Sequence, residues 1–529
     1  MNNSFFDEME SKIPRGGVRT RFAPSPTGYM HVGGLRTALY AYLIAKKSGG
    51  TFILRIEDTD MARFVEGATE IIIDTLKGAG LHYDEGPDIG GPVAPYTQSE
   101  RKHIYRPYAE LLCEKDAAYY CFCSREDNAD RSEIQNSEFG IRNEDADNVS
   151  SVAYPDNTGS IPQNPHMGED HVNDPCRDLP YEDSRQRVEA GEPFAIRMKA
   201  PREGATTVVD VVFGEVTTQN KTLDDMILLK SDGLPTYNFA NVIDDHLMGI
   251  THVLRGSEYI SSAPKYNLLY EAFGWDIPIY VTVSLIMRDA QHKLSKRHGD
   301  PTYDDLLRQG YLPEAILNYV ALLGWSPGGE REFFTLSELV DVFDVSGISK
   351  SPAIFDIEKL NYFNSEYIRA LSLEKFVEIA RPYIRQAVKK ESLSVEAIAA
   401  ILHTRCEKLC DIPAMIDFFD NLPEYPAELY IHKKSKTDEE ISLAMLRAAR
   451  TAFKNLTDWT NEAVHDTFIS LAERLNVKNA TLMWPVRIAV SGKAVTPGGA
   501  VEICLILGRD ETLRRIAAGI EKLGGTTDE

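Results

Sequence analysis

Residues 18–96 alternate two kinds of apolar pattern. Residues 18–23 (VRTRFA) are a short extended stretch that predicts a buried strand, and Pro24, Pro26 and Gly28 forbid a regular element directly after it. Over 35–47 the apolar Leu35, Leu39, Tyr42 and Leu43 fall at helical spacing, and Gly49-Gly50 is a stop signal. TFILRI (51–56) then reads as a strand and 68–79 as a helix, an alternation that predicts a parallel α/β nucleotide-binding fold. Residues 97–230 interrupt the pattern, and their closing part is strand-like at FAIRM (194–198), TTVVDVVF (206–213) and MILLK (226–230). From 237 the α/β pattern resumes, with YVTVSLIM (280–287) as its most obvious buried strand. Beyond about residue 300 helices dominate. TDEE (437–440) has a capping-box pattern and opens a stripe of Ile441, Met445, Ala448, Ala452, Phe453 and Leu456, read as packing.

Composition narrows the class without naming it. A chain of 529 residues, 43% hydrophobic and 26% charged, has room for several cores. No apolar stretch approaches the roughly 18 residues that span a bilayer. The opening MNNSFFDE lacks a basic and then a long apolar region, so it is no secretory signal, and 1–17 read as a short, partly disordered extension. Seven cysteines, an odd number, predict reduced thiols and a cytoplasmic location. A net charge of −23 does not exclude nucleic acid, because a local basic face governs phosphate contact. It predicts segregated charge and strong salt sensitivity.

Two segments carry the chemistry. In RFAPSPTGYMHVGG (21–34), His31 and Gly33-Gly34 sit where a loop enters a helix. Free backbone N–H groups and the positive dipole end attract phosphate there, and the glycines admit a nucleotide close to the backbone. In KLSKR (293–297), two lysines and an arginine flank a serine, which suits a mobile loop closing over a pyrophosphate leaving group. Either segment alone is common; the pair in this order is not.

PSPTGxxHVGG and KLSKR resemble the two signatures of class I aminoacyl-tRNA synthetases. FILRIEDTD (52–60), GLPTYNFAN (233–241), VIDDH (242–246) and THVLRG (251–256) narrow the resemblance to glutamyl-tRNA synthetase of the bacterial type, from about residue 18 to the C-terminus. The resemblance implies a Rossmann-like α/β catalytic domain in two halves, 18–96 and 237–300, split by an acceptor-end-binding subdomain at 97–236. A stem-contact helical region at 301–370 and an all-α anticodon-binding region at 371–529 follow. It implies ATP with Mg²⁺, L-glutamate and tRNA-Glu as partners, no membrane, and a monomer. The ATP site it implies comprises Pro24, Thr27, Gly28, His31, Gly33, Gly34, Lys293 and Lys296, with His31, Lys293, Ser295, Lys296 and Arg297 as the catalytic set. The glutamate site it implies is Arg21 and Arg255 for the side-chain carboxylate, Glu57 for the α-ammonium, Ala23 and Ser25 as lining, and Tyr237 and Asn241 as polar contacts. Arginine suits this work because its planar fork grips both carboxylate oxygens.

Three questions stay open at this stage. Cys121, Cys123 and Cys176 match positions that hold structural zinc in some relatives, but the matching fourth positions are Asp178 and Val172, so a zinc site completed by His166 or His171 and a zinc-free subdomain are both open. Between the thiols, 124–175 is rich in Asp, Asn, Ser and Glu without apolar pattern, and 127–172 is expected to be a mobile polar loop. Cys113, Cys406, Cys410 and Cys504 are expected to be buried small apolar residues. HTRCEKLCDIP (403–413) resembles the segment with the family's anticodon-reading arginine, which makes Arg405 the candidate against an ordinary exposed arginine. Charging of tRNA-Gln as well as tRNA-Glu is the second open question. The third is a catalytically inactive RNA-binding paralogue, which would be expected to lose His31, Lys296 or Glu57.

Overall fold

The computed structural model describes residues 3–59, 65–123, 174–294 and 299–526. Two compact units divide them, 1–306 with 316–356 and 307–315 with 357–529. The expected region 301–370 is therefore shared between both units, because 316–356 pack with the sheet domain.

The first unit is built on one six-stranded sheet. Strands β1 (Arg19–Phe22) and β2 (Thr51–Leu54) pair in parallel, Arg19 opposite Thr51 and Phe22 opposite Leu54. The helix between them, Val32–Lys47, buries Leu35, Leu39 and Leu43 of the predicted stripe and also Val32, while Tyr42 is half-buried against Phe52. Gly49 takes a φ of +62°, the left-handed turn that ends this helix, as its sequence signals. A second, smaller sheet joins β3 (Ala118–Cys121), β4 (Ala195–Met198) and β7 (Ile227–Leu229) in antiparallel pairs.

The hairpin of β5 (Ala205–Asp210) and β6 (Gly214–Gln219) departs from expectation in two ways. It lies inside 97–236, yet it extends the main sheet, with β5 parallel to β9 (Ile279–Val283). The insertion is thus not a separate body over its whole length. The strand predicted over 206–213 also stops at Asp210. Its Oδ1 accepts the N–H groups of Val212 and Phe213, which turns the chain, while Oδ2 accepts the N–H of Thr282 and ties the turn to β9. Strand β8 (His252–Gly256) sits between β1 and β9, so the order is β2-β1-β8-β9-β5-β6.

The N-terminal extension holds a helix, Asn3–Ser11, packed on this domain. Phe6 meets the Tyr108 ring edge-on at 5.0 Å, and Glu10 lies 2.6 Å from His246, which stacks on Trp275 at 3.6 Å. Apolar Phe5, Phe6 and Met9 on one face explain why this segment is held.

The second unit is helical around a core that includes Leu402, Leu446, Phe453, Phe468 and Val486. Helix Glu439–Lys454 matches the predicted stripe, but its N-cap is Asp438, whose side chain accepts the N–H of Ile441. Thr437, the expected cap, instead donates its hydroxyl to the carbonyl of Tyr430. Cys113, Cys406 and Cys504 are buried as expected, whereas Cys410 is exposed because its 3-10 turn, Leu409–Asp411, buries Leu409 instead. The polar segment 127–172 lies outside the described residues.

Candidate functional site

A cleft of about 220 Å³ opens at the C-terminal ends of β1, β8 and β9, the side of a parallel sheet that binds ligands. It is lined by Arg21, Ala23, His31, Gly33, Gly34, Tyr237, Arg255 and Lys293, among others. Residues predicted for the nucleotide and for the amino acid therefore share one cavity. Pro24, Ser25, Thr27 and Gly28 belong to the connecting loop and are not part of the lining. They shape it: the N–H of Glu57 donates to the Pro24 carbonyl at 3.0 Å, the N–H of Thr27 to that of Ser25 at 2.9 Å, and Gly28 takes a φ of +105°.

His31 is the N-cap of helix Val32–Lys47. Its Nδ1 accepts the backbone N–H of Gly34 at 3.0 Å, which leaves the ring proton on Nε2. The imidazole is exposed at the helix end where an anion is favoured. A Cβ at Gly33 would stand 3.0 Å from this ring, so the glycine is what lets the ring lie against the backbone. Lys293 leaves a small hairpin: Arg288 donates its N–H to the His292 carbonyl at 2.8 Å and Leu294 donates to Ile286 at 3.1 Å. Ser295, Lys296 and Arg297 lie outside the described residues.

Beneath the cleft the chain buries a dense set of charges. Arg21, Arg55, Glu57, Asp245 and Arg255 are each at most 7% exposed. Arg21 donates from Nε to Asp245 Oδ1 at 3.0 Å, from Nη2 to Oδ2 at 3.1 Å, and from Nη1 to the Leu254 carbonyl at 3.0 Å. Arg55 bridges Asp245 Oδ1 at 2.8 Å and Glu57 Oε1 at 2.8 Å. Burial would raise the Asp245 carboxyl, but the Arg21 and Arg55 charges outweigh it and hold it at about 2. Burial raises the Glu57 carboxyl, and the Arg55 and Arg21 charges offset this only in part.

Two ends of this network are unsatisfied. Among the described residues Glu57 Oε2 has no partner, and neither do Nε and Nη1 of Arg255. Asn241 accepts from Arg255 Nη2 at 3.2 Å and anchors its own amide on the Tyr237 carbonyl at 2.9 Å. The rings of Tyr266 and Tyr259 flank the Arg255 guanidinium at 4.7 and 5.7 Å. The site thus holds buried donors without acceptors and a buried acceptor without a donor, an arrangement that fits a zwitterion carrying an additional carboxylate.

A second cluster stands apart, at the end of β3. The ligand atoms of Cys121, Cys123, Asp174 and Cys176 all lie within 4.8 Å of one another. Cys123 and Cys176 sulfurs are 3.9 Å apart, and Asp174 oxygens lie 3.3 Å from Cys121 and 3.8 Å from Cys123. A tetrahedral zinc with bonds of about 2.3 Å separates its sulfurs by about 3.8 Å, so these spacings fit. Asp178, which occupies one of the two positions where relatives carry a fourth ligand, is exposed and outside the cluster, while His166, His171 and Val172 are not among the described residues. In the helical unit Arg405 is exposed, in a turn after helix Val395–Leu402.

Sequence reasoning missed Arg55, Asp245 and Asp174 as site residues. The first two stand inside the quoted FILRIEDTD and VIDDH segments, and a signal was present: Arg55 and Glu57 share one side of an otherwise apolar extended stretch. Asp174 carried no signal, because it lies at the edge of a long acidic segment.

The model for the catalytic domain of class I tRNA synthetases of glutamate and glutamine matches residues 17–362, and an anticodon-binding-domain model matches 375–520. The glutamate–tRNA ligase of Clostridium botulinum is 55% identical over 96% of this chain and 98% of its own. That of Clostridium tetani is 53% identical over the same shares. The crystal structure of a glutamate tRNA ligase from Elizabethkingia meningosepticum in complex with its amino acid superposes with a TM-score of 0.79 at 35% identity, covering 96% of this chain and 100% of that one.

Proposed function

The chain belongs to the glutamate–tRNA ligases, class I aminoacyl-tRNA synthetases, and on that premise we propose how its own residues divide the work. A glutamate–tRNA ligase joins L-glutamate to ATP as glutamyl-adenylate and passes the acyl group to the end of its tRNA. Arg255 and Arg21 receive the side-chain carboxylate, and Glu57 Oε2 receives the α-ammonium. The observation that carries this reading is the pair of unmet groups, Arg255 Nε and Nη1 on one side and Glu57 Oε2 on the other. Substrate binding would also favour the ionised form of Glu57 against the effect of its burial.

The α-carboxylate then attacks the α-phosphorus of ATP, which forms a carboxyl–phosphate bond and breaks the bond to pyrophosphate. His31 Nε2 donates to a phosphate oxygen, and Lys293 and Lys296 balance the charge of the leaving group while Mg²⁺ accompanies the triphosphate. No side chain becomes a covalent nucleophile. Catalysis is positioning plus charge stabilisation. In the second step a hydroxyl of the terminal ribose attacks the acyl carbon and AMP departs.

The acceptor is tRNA-Glu, with Arg405 exposed for reading of an anticodon base. All seven cysteines are free, in keeping with a reducing cytoplasm, and among the described residues no helix is long and apolar enough to cross a membrane. Side-by-side aminoacylation of tRNA-Glu and tRNA-Gln, native against Arg405→Ala, reads the tRNA choice. The amino-acid assignment is tested by Arg255→Ala. Losing the guanidinium should cut charging with glutamate by two orders of magnitude or more and narrow the preference over glutamine, since sites with buried polar groups discriminate by roughly 10⁴. Native selectivity in that variant would place the carboxylate elsewhere.

Cys121, Cys123, Asp174 and Cys176 are proposed as a structural zinc centre. When bound, the metal would tie the end of β3 to the chain at 174–176, beside the small apolar cluster of Tyr119, Cys121 and Cys176. One zinc per chain, lost in Cys121→Ser and in Asp174→Ala, is the expected result of metal analysis. Full zinc in Asp174→Ala would exclude the aspartate as ligand.

A further inference from the structure

We infer that Asp245 is a positioning and specificity-determining residue for the amino acid, although it need not touch substrate. This rests on the assignment of Arg21 and Arg255 to the substrate carboxylate. Asp245 lies on helix Tyr237–Leu247, the element that also supplies Tyr237 and Asn241. Its two oxygens accept both Nε and Nη2 of Arg21, the side-on grip that fixes a guanidinium in plane and in rotation. The same carboxylate takes Arg55 at 2.8 Å and stands 3.7 Å from Arg255 Nη2.

Two consequences follow. First, Arg21 is left with one uncommitted N–H on each terminal nitrogen, since its remaining bond goes to the Leu254 carbonyl. Asp245 therefore decides which edge of the arginine is available to a ligand. Second, the buried set holds three guanidiniums, of Arg21, Arg55 and Arg255, against two carboxylates, of Glu57 and Asp245. The excess is one positive charge. Glutamate brings one net negative charge and closes the balance, whereas glutamine brings none and leaves a buried cation uncompensated. Asp245 is thus placed both to aim the arginine and to tune the charge difference on which selection depends.

The neighbouring Asp244 is a built-in comparison. It is equally buried and accepts from Gln98 at 2.9 Å, Arg101 at 2.7 Å and Tyr105 at 2.9 Å, but among the described residues it makes no hydrogen bond to Arg21, Arg55 or Arg255. The full-length protein is assayed by ATP–pyrophosphate exchange with tRNA-Glu present. Native exchange that depends on glutamate establishes the underlying assignment of activity before any variant is compared. Asp245→Asn removes the charge. Asp245→Glu keeps it but displaces the carboxylate, which guards against a variant that fails to fold.

Both should raise the glutamate KM at least tenfold, leave the ATP KM within about threefold, and lower the preference for glutamate over glutamine. Asp244→Asn should lower thermal stability and active fraction while the glutamate KM stays within twofold of native. A glutamate KM near native in Asp245→Glu overturns the inference. So does an equal rise in Asp244→Asn, which would make the effect one of general stability. Loss of glutamate preference in Arg255→Ala with native preference in both Asp245 variants would keep the carboxylate site and remove Asp245 from it.

Discussion

Arg255 holds two buried nitrogens, Nε and Nη1, with no acceptor among the described residues, and this sets the character of the site. A buried donor left unmet costs about 1–3 kcal/mol, so a carboxylate that meets the Arg255 guanidinium is favoured over a neutral group that cannot. The phosphate side works differently. His31 is exposed and capped against its own helix, so its contribution is a preset direction rather than stored energy. His31→Ala and Lys296→Ala should therefore slow adenylate formation and leave glutamate affinity nearly intact, because the His31 donor and the Lys296 charge matter most as pyrophosphate leaves. Two to three factors of ten in turnover, about 3–4 kcal/mol, is the expected loss. Single-turnover activation at the native rate in Lys296→Ala would remove the lysine from the transition state. At this scale the sequence was informative where a residue sits in a short, specific motif, as Arg21, His31, Lys293 and Arg255 do. It was silent on Asp174, because a carboxylate among many acidic residues has no local pattern; only the fold brings it beside Cys121 and Cys123.

Elements were legible to the degree that one period dominated them. Helix Val32–Lys47 and strands β1 and β2 follow from apolar spacing and glycine punctuation. The hairpin β5–β6 reads from sequence as part of the insertion because its strands adjoin it, while its partner β9 is about 70 residues away and no local signal announces that pairing. The cap of helix Glu439–Lys454 shows the same limit, since Thr437 and Asp438 are equally good caps and the Tyr430 carbonyl decides between them. The N-terminal helix Asn3–Ser11 is the clearest tertiary override: too short to be stable alone, it is held by Phe5, Phe6 and the Glu10–His246 contact. Removing residues 2–13 should cost about 2–4 kcal/mol through two half-buried aromatic side chains and their ring contacts with Tyr108. A lowered Tm with glutamate activation retained at 25 °C is the expected outcome. An unchanged Tm would mean that the helix does not stay docked in solution.

The molecule as a whole carries a charge of −23 and must hold a polyanion. The two charge systems it uses differ in how they meet salt. The cations under the cleft, Arg21, Arg55 and Arg255, are buried, and Arg21 and Arg55 are paired with Asp245, so mobile ions reach them poorly. Contacts to tRNA phosphates lie at the surface and release counterions, and their affinity falls with a slope of roughly 0.7 to 0.9 per phosphate engaged. The global repulsion works against that slope, because salt screens it at the same time as it weakens the phosphate contacts. Raising salt from 50 to 200 mM should therefore weaken tRNA binding by at least about tenfold. The glutamate KM, measured at saturating tRNA over the same range, should change by less than about twofold. Binding is read directly on full-length protein with labelled tRNA-Glu, and KM by exchange. Equal salt dependence of both quantities would show that the amino-acid pocket is open to solvent ions when tRNA is bound. Salt-independent tRNA binding would show recognition without phosphate contacts, through stacked bases and hydrogen bonds alone.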